Sequence, residues 1–136
     1  MSEIEQALKT LFTGGSPNDI AALIGTRFYA DVLPQSPTMP AVVYSLLTGA
    51  NIRSTDGPSA LANPTFQIDC WASNPAGRAA LFKAVRQRLD TYSGTVEGVA
   101  IQGIFLVRYR DLYDNETRLY RRTADFSIWH GESVNG

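Results

Sequence analysis

Thr65-Phe66-Gln67-Ile68-Asp69-Cys70-Trp71 is the stretch from which the fold can be read. Phe66, Ile68 and Cys70 fall on one side of an extended chain; Thr65, Gln67, Asp69 and Trp71 fall on the other. A strand with one apolar and one polar face belongs to an antiparallel sheet that is covered on one side only. The same alternation returns near the C-terminus. There Ala124, Phe126 and Ile128 alternate with Thr123, Asp125, Ser127 and Trp129, on a strand predicted from about 118 to 130. Upstream, Ala41-Val42-Val43-Tyr44-Ser45-Leu46-Leu47 reads as a strand with apolar residues on both sides, either a covered central strand or one with a face used in assembly. Glu97-Gly98, set between Thr95-Val96 and Val99-Ala100, is a two-residue hairpin signal. A long strand follows over about 99–110, and Asp114-Asn115-Glu116-Thr117 turns the chain into the last one.

Helical spacing appears in three places. Ile4, Ala7, Leu8, Leu11 and Phe12 share a stripe over 2–12, with Ser2 and Glu5 in capping-box positions and Gly14-Gly15 as the stop. Ser16 is the expected N-cap of a second short helix, with Pro17 at its first position and Ile20, Leu23 and Ile24 on its apolar face. The longest helix is expected over 75–90. Asn74 caps it, Pro75 starts it, and Leu81, Phe82, Val85 and Leu89 form the buried stripe. Pro34, Pro37 and Pro40 make 26–40 a connection with some extended character. Residues 48–62 read as a long loop, with Asp56-Gly57-Pro58 as turn chemistry. The expected architecture is α+β: a mainly antiparallel sheet of about four strands covered by one long helix, with short N-terminal helices at an edge or end. The chain reads as a single domain over 1–136, with 131–136 as a frayed tail.

Composition narrows the function. The 136 residues carry 12 basic and 13 acidic side chains, a net charge of -1. Up to residue 68 there are three basic against five acidic residues, so neither half is a basic nucleic-acid arm or an acidic tail. One cysteine, Cys70, excludes an internal disulfide and a multi-thiolate zinc site. No stretch approaches the roughly 20 apolar residues of a membrane span, and the N-terminus has no signal-peptide run. The chain is therefore expected to be made in the cytoplasm and to have no membrane partner.

No constellation carries a reaction. His130 is the single histidine and is read as a packing or surface residue. Cys70 shares a face with Phe66 and Ile68 and is read as a small core hydrophobe. Asp111, Asp114 and Glu116 lack the central Gly and terminal Glu of a calcium loop and read as a solvated turn. Asp69 and Asp125 are expected on one sheet face as solvent-facing acids. No phosphate loop or dinucleotide fingerprint is present. Arg108, Arg110, Arg118, Arg121 and Arg122 flank one hairpin among Tyr109, Tyr113 and Tyr120. Nearby acids cancel most of that charge, so a protein interface is favoured over a nucleic-acid surface. Catalytic, cofactor and metal residues are all assigned as none. The expected interface residues are Arg53, Asp56, Pro58 and Leu61 in the 48–62 loop and Arg108, Arg110, Arg121 and Arg122 on the hairpin.

An ordered set of short runs, from about Ile4 to His130, resembles the tail-completion (tail-terminator) proteins of long-tailed bacteriophages and prophages. The runs are Gly25-Thr26-Arg27-Phe28-Tyr29, Leu33-Pro34-Gln35, Met39 to Tyr44, Asp56 to Ala62 and Phe66 to Trp71. Past the long helix come Gly98 to Ile104, Arg110 to Asp114, Leu119-Tyr120-Arg121 and Asp125 to Trp129. The resemblance implies a small α+β virion subunit that forms a six-fold ring on the head-proximal end of the tail tube. Such a ring ends tube polymerisation and offers a surface for head–tail joining. It also implies as partners a second copy, the major tail tube protein and a head-completion or connector protein, with DNA only passing through the lumen. It brings no catalytic residues. The alternatives are another neck or head-completion adaptor, and a small nucleic-acid-binding sheet module.

Overall fold

The computed structural model describes residues 3–15, 17–49, 51–53 and 60–132. Ser2, Ser16, Asp56 and Pro58 lie outside the described residues, as do the expectations that rest on them. The fold is α+β, with eight strands and three helices among the described residues. The order is α1 (Glu3–Thr13), α2 (Asp19–Ile24), β1 (Phe28–Ala30), β2 (Ala41–Thr48), β3 (Asn51–Arg53), β4 (Ala60–Ala62), β5 (Thr65–Ala72), α3 (Pro75–Leu89), β6 (Gly94–Val96), β7 (Val99–Asp114) and β8 (Leu119–Glu132).

β8 is the spine of the sheet. One of its edges pairs along almost its whole length with β7, from Asp114↔Leu119 to Ile101↔His130. Its other edge pairs first with β5, from Ala72↔Tyr120 to Thr65↔Ser127, then with β4. β2 lies beyond β5, and β1 closes that side as the one parallel pair. The sheet is thus mixed but mainly antiparallel. The expected four long strands are β2, β5, β7 and β8. The count of four is corrected to eight, because β1, β3, β4 and β6 have only three residues each and carry almost no periodicity.

The 48–62 loop is corrected too. Its ends are the paired strands β3 and β4, which extend the sheet past β5. Gly131 and Glu132, read as frayed tail, are paired in β8. Glu97 (φ 50°) and Gly98 (φ 76°) make the tight turn between β6 and β7, as their sequence demanded.

All three helices lie on one face of the sheet. Phe66, Ile68, Cys70, Phe126, Ile128 and Ile104 point into the core beneath them, with Leu81, Val85 and Leu89 of α3. An aromatic chain runs through this layer: Phe12 stacks on Phe28 at 4.7 Å, Phe28 on Tyr44 at 4.7 Å, and Tyr44 meets Phe66 at 6.3 Å. Each buried ring of this kind contributes about 1.5–3 kcal/mol. Asn74 caps α3 by accepting from the Gly77 N–H at 2.7 Å, as the sequence predicted.

The cap of α2 differs from expectation. Asn18, not Ser16, is the N-cap, and its side chain accepts from the N–H groups of Ile20 and Ala21. Its amide donates back to the carbonyls of Leu11 and Gly14, so one buried side chain ties the end of α1 to the start of α2. Asparagine outdoes serine here because it carries both a donor and an acceptor. Leu23, expected on the buried face of α2, is exposed, because this one-and-a-half-turn helix buries only Ile20 and Ile24.

Candidate assembly surface

The register fixes which side chains share the uncovered face. Reading across the strands, one row is Val43, Asp69, Thr123 and Arg110; the next is Ser45, Gln67, Asp125 and Arg108; a third is Ala41, Trp71, Arg121 and Leu112. Rows on the helix side interleave with these: Val42, Cys70, Arg122, Asp111, then Tyr44, Ile68, Ala124, Tyr109. Adjacent arginines of the hairpin therefore point to opposite faces.

On the helix side, Arg122 donates to both carboxylate oxygens of Asp111 at 2.6 and 3.1 Å. Its guanidinium lies over the rings of Phe82 and Tyr109 at 5.0 and 5.3 Å. Arg78 of α3 reaches the same carboxylate at 3.3 Å and covers Tyr120. The Arg122 hydrogen bonds, with the charges of Arg122 and Arg78, hold the Asp111 carboxyl below its ordinary pKa; the same pair pushes Arg122 up. A bidentate, partly desolvated pair of this kind is stronger than an ordinary surface ion pair.

On the uncovered face, Arg108 pairs with Asp125 at 3.1 Å. Arg121 lies over Trp71 at 5.0 Å, with Asp69 at 3.7 Å. Asp69 also accepts from Gln67 and is buried, which corrects the expectation of a solvent-facing acid. The segment Asp31–Pro37 folds over this corner and encloses, with Val43, Asp69, Trp71, Leu119 and Arg121, a recess of about 460 Å³.

Of the expected interface residues, Arg108, Arg121 and Arg122 are thus bound to acids of their own chain, the last two only partly exposed. Arg110 is exposed on the open face and makes no ion pair among the described residues. Leu61 is partly buried and faces Ile52 and Gly131. Arg53 stands on β3 opposite Ala60.

Cys70 is fully buried, and desolvation pushes its thiol far up, so it packs rather than reacts. His130 is buried, with Nδ1 2.9 Å from the Gly131 carbonyl. Asp114 accepts from the Glu116 N–H at 3.0 Å within the β7–β8 turn, and that bond leads the lowering of its pKa. Among the described residues no three His, Cys, Asp or Glu side chains converge on a metal-sized site.

The sequence reading missed a set of exposed apolar side chains along β7, on both of its faces: Phe105, Val107, Tyr109 and Tyr113, each about half exposed. Leu46 and Leu47 at the end of β2 are exposed as well. For β2 the signal was visible, since its apolar residues occupy both faces. The run Ile104-Phe105-Leu106-Val107 carries the same signal on β7.

No curated protein matches the sequence at a significant level. Among solved structures, a chain of the virion of a native gene transfer agent particle has the same fold, with a TM-score of 0.69, 20% identity and 96% of each chain covered. The profile of the family described as tail completion protein gp17 matches residues 15–131. That span runs from the end of α1 to the end of β8 and takes in the spine, its neighbours and the whole charged hairpin. The chain belongs to the tail completion protein gp17 family, and with it to the structural proteins of the virion tail.

Proposed function

We propose that this protein closes the head-proximal end of a phage tail tube as a six-membered ring, ends tube growth, and presents the surface on which the head connector docks. The observation that carries this reading is the family match over 15–131. The physical logic is that of a polymer cap. A tube grows because the upper face of each ring fits the lower face of the next. A cap fits the tube on one side and offers a different surface on the other, so addition stops. The partners are then a second copy, the tube protein and a head-completion or connector protein, with DNA passing through the lumen. The 48–62 segment and the β7–β8 arginines are proposed as assembly contacts. The intramolecular pairing of Arg108, Arg121 and Arg122 leaves little free positive charge for a nucleic-acid surface, which weighs against a nucleic-acid-binding module.

Electron microscopy of a deletion lysate tests the proposal. Overlong or unjoined tails beside DNA-filled heads are expected. Normal-length tails firmly attached to heads overturn the reading. Labelled protein found on isolated heads rather than on isolated tails would instead mark a neck adaptor.

A further inference from the structure

We infer that one copy of the chain holds the next through the free margin of β7, Val107–Tyr113, seated against the opposite margin of the neighbouring sheet, β1 with Asp31 and Val32. The inference rests on the ring reading above and says which surfaces close the ring.

β7 is a sheet edge. Near its start it is occupied: β6 pairs with Val99–Ile101, Ile104 exchanges backbone hydrogen bonds with Thr91 and Tyr92, and the Leu106 N–H donates to Asp90. Past Leu106 no strand lies beside it among the described residues. Exposed edges of this length are a hazard that chains ordinarily blunt with charge or leave short. Here the open stretch carries Arg108, Arg110 and Asp111, but between them also Val107, Tyr109 and Tyr113, each about half exposed, with Phe105 just before it. Tyr109 and Tyr113 lean on Phe82 and Tyr120 on the helix side and Phe105 lies on the open face, so the open ladder has half-exposed apolar side chains on both faces against which a partner strand can pack.

Strand direction and charge select the partner. β1 runs parallel to β2; β2 is antiparallel to β5, β5 to β8 and β8 to β7. β7 and β1 therefore run in opposite directions, so copies set side by side, all the same way up, meet in the favoured antiparallel sense. The two margins also stand level, since one transverse row runs Tyr29, Val43, Asp69, Thr123, Arg110 from edge to edge. Arg110 at one margin and Asp31 at the other are both exposed, and neither makes an ion pair among the described residues. Val32 beside Asp31 is 73% exposed. A two-fold pairing of β7 with itself about Tyr109 would set Arg108 of each copy against Arg110 of the other, where like charges repel. A contact between two different margins is heterologous and closes only as a ring. The bulge between Leu106 and Arg108 and the arginines beside it then restrict the edge to a matching margin.

The test uses the full chain, whose own Cys70 is buried and out of reach of reagents. Val107→Cys and Val32→Cys are introduced together and singly, and each protein is treated with a short bismaleimide under ring-forming conditions. The double variant is expected to give a ladder of covalent oligomers that ends at the ring size, and each single variant none. In a separate variant, Arg110→Asp should raise the concentration for half-assembly on the order of tenfold while circular dichroism stays unchanged. If the wild type forms rings but the double variant gives no ladder and Arg110→Asp assembles normally, this contact is overturned and the ring reading stands. Dimers from Val107→Cys alone overturn the head-to-tail arrangement. A wild type that stays monomeric at millimolar concentration with tail tubes present overturns the ring reading and this contact with it.

Discussion

Asp111 is held by two arginines from different elements, Arg122 across the hairpin and Arg78 from α3, so one carboxylate pins the helix to the long hairpin. Asp111→Asn keeps the shape and removes the charge. It should cost about 1–2 kcal/mol, the range for hydrogen bonds to a charged group moderated by partial exposure. The pH dependence follows from the lowered pKa of the native carboxyl. Its stabilisation is fully present above the ordinary value of 3.8 and is lost as pH falls through the lower native value. Urea titrations of both proteins from pH 7 to pH 2 should show the gap closing at the acid end; a gap that widens there would refute this role. Cys70 gives a second check. With its thiol buried and its pKa raised, a thiol reagent at pH 8 should label it only after unfolding. Rapid labelling of the native chain would show that the core beneath α3 is open.

Elements were legible in proportion to their length and to the chemistry at their ends. β5 and β8 alternate over enough residues to reveal both faces, and Asn74-Pro75 marks the start of α3 without ambiguity. β1 hides ahead of the prolines of its connection, and β3 and β4 hide in a stretch that reads as turn chemistry. Each is held in the sheet by its neighbours rather than by its own pattern. The site was legible at the level of composition, as arginine and tyrosine interleaved on one hairpin. Which arginine was free could not be read, because alternate residues face opposite sides, their acid partners lie on β5 and across the hairpin, and Arg78 of α3 shares one of those acids. Asn18 makes the clearest test at this scale. Asn18→Ala strips the cap of α2, takes the Asn18 donor from the Gly14 carbonyl and leaves the Leu11 carbonyl to Arg88. A loss of about 2 kcal/mol is expected, at the upper end for a cap. Asn18→Ser should recover part of it, because a hydroxyl can still accept from α2. Thermal melts of the two variants check this, and equal stability of Ala and wild type would show that the cap is idle.

Across the whole molecule, protection from hydrogen exchange should follow the sheet order. β8, bounded by β7 on one edge and by β5 and β4 on the other, is expected to exchange slowest. The far half of β7, bonded on one side only, should exchange faster in the isolated chain and slow down on assembly. No difference between isolated and assembled protein along 107–114 would count against that edge as a contact. The same layout has a meaning for descent. β8 alternates core and open face residue by residue between two fixed neighbours, so adding or deleting one residue within it would turn Asp125 inward and Phe126 outward and mispair both sides at once. β7 already carries unpaired residues at two irregularities, Gln102 and Val107, and has slack on its outer side. Within this hairpin, lineages that share the chain can therefore change length at the 115–118 turn and along the outer strand, but not within β8. The spine keeps the count of the fold while its margins drift.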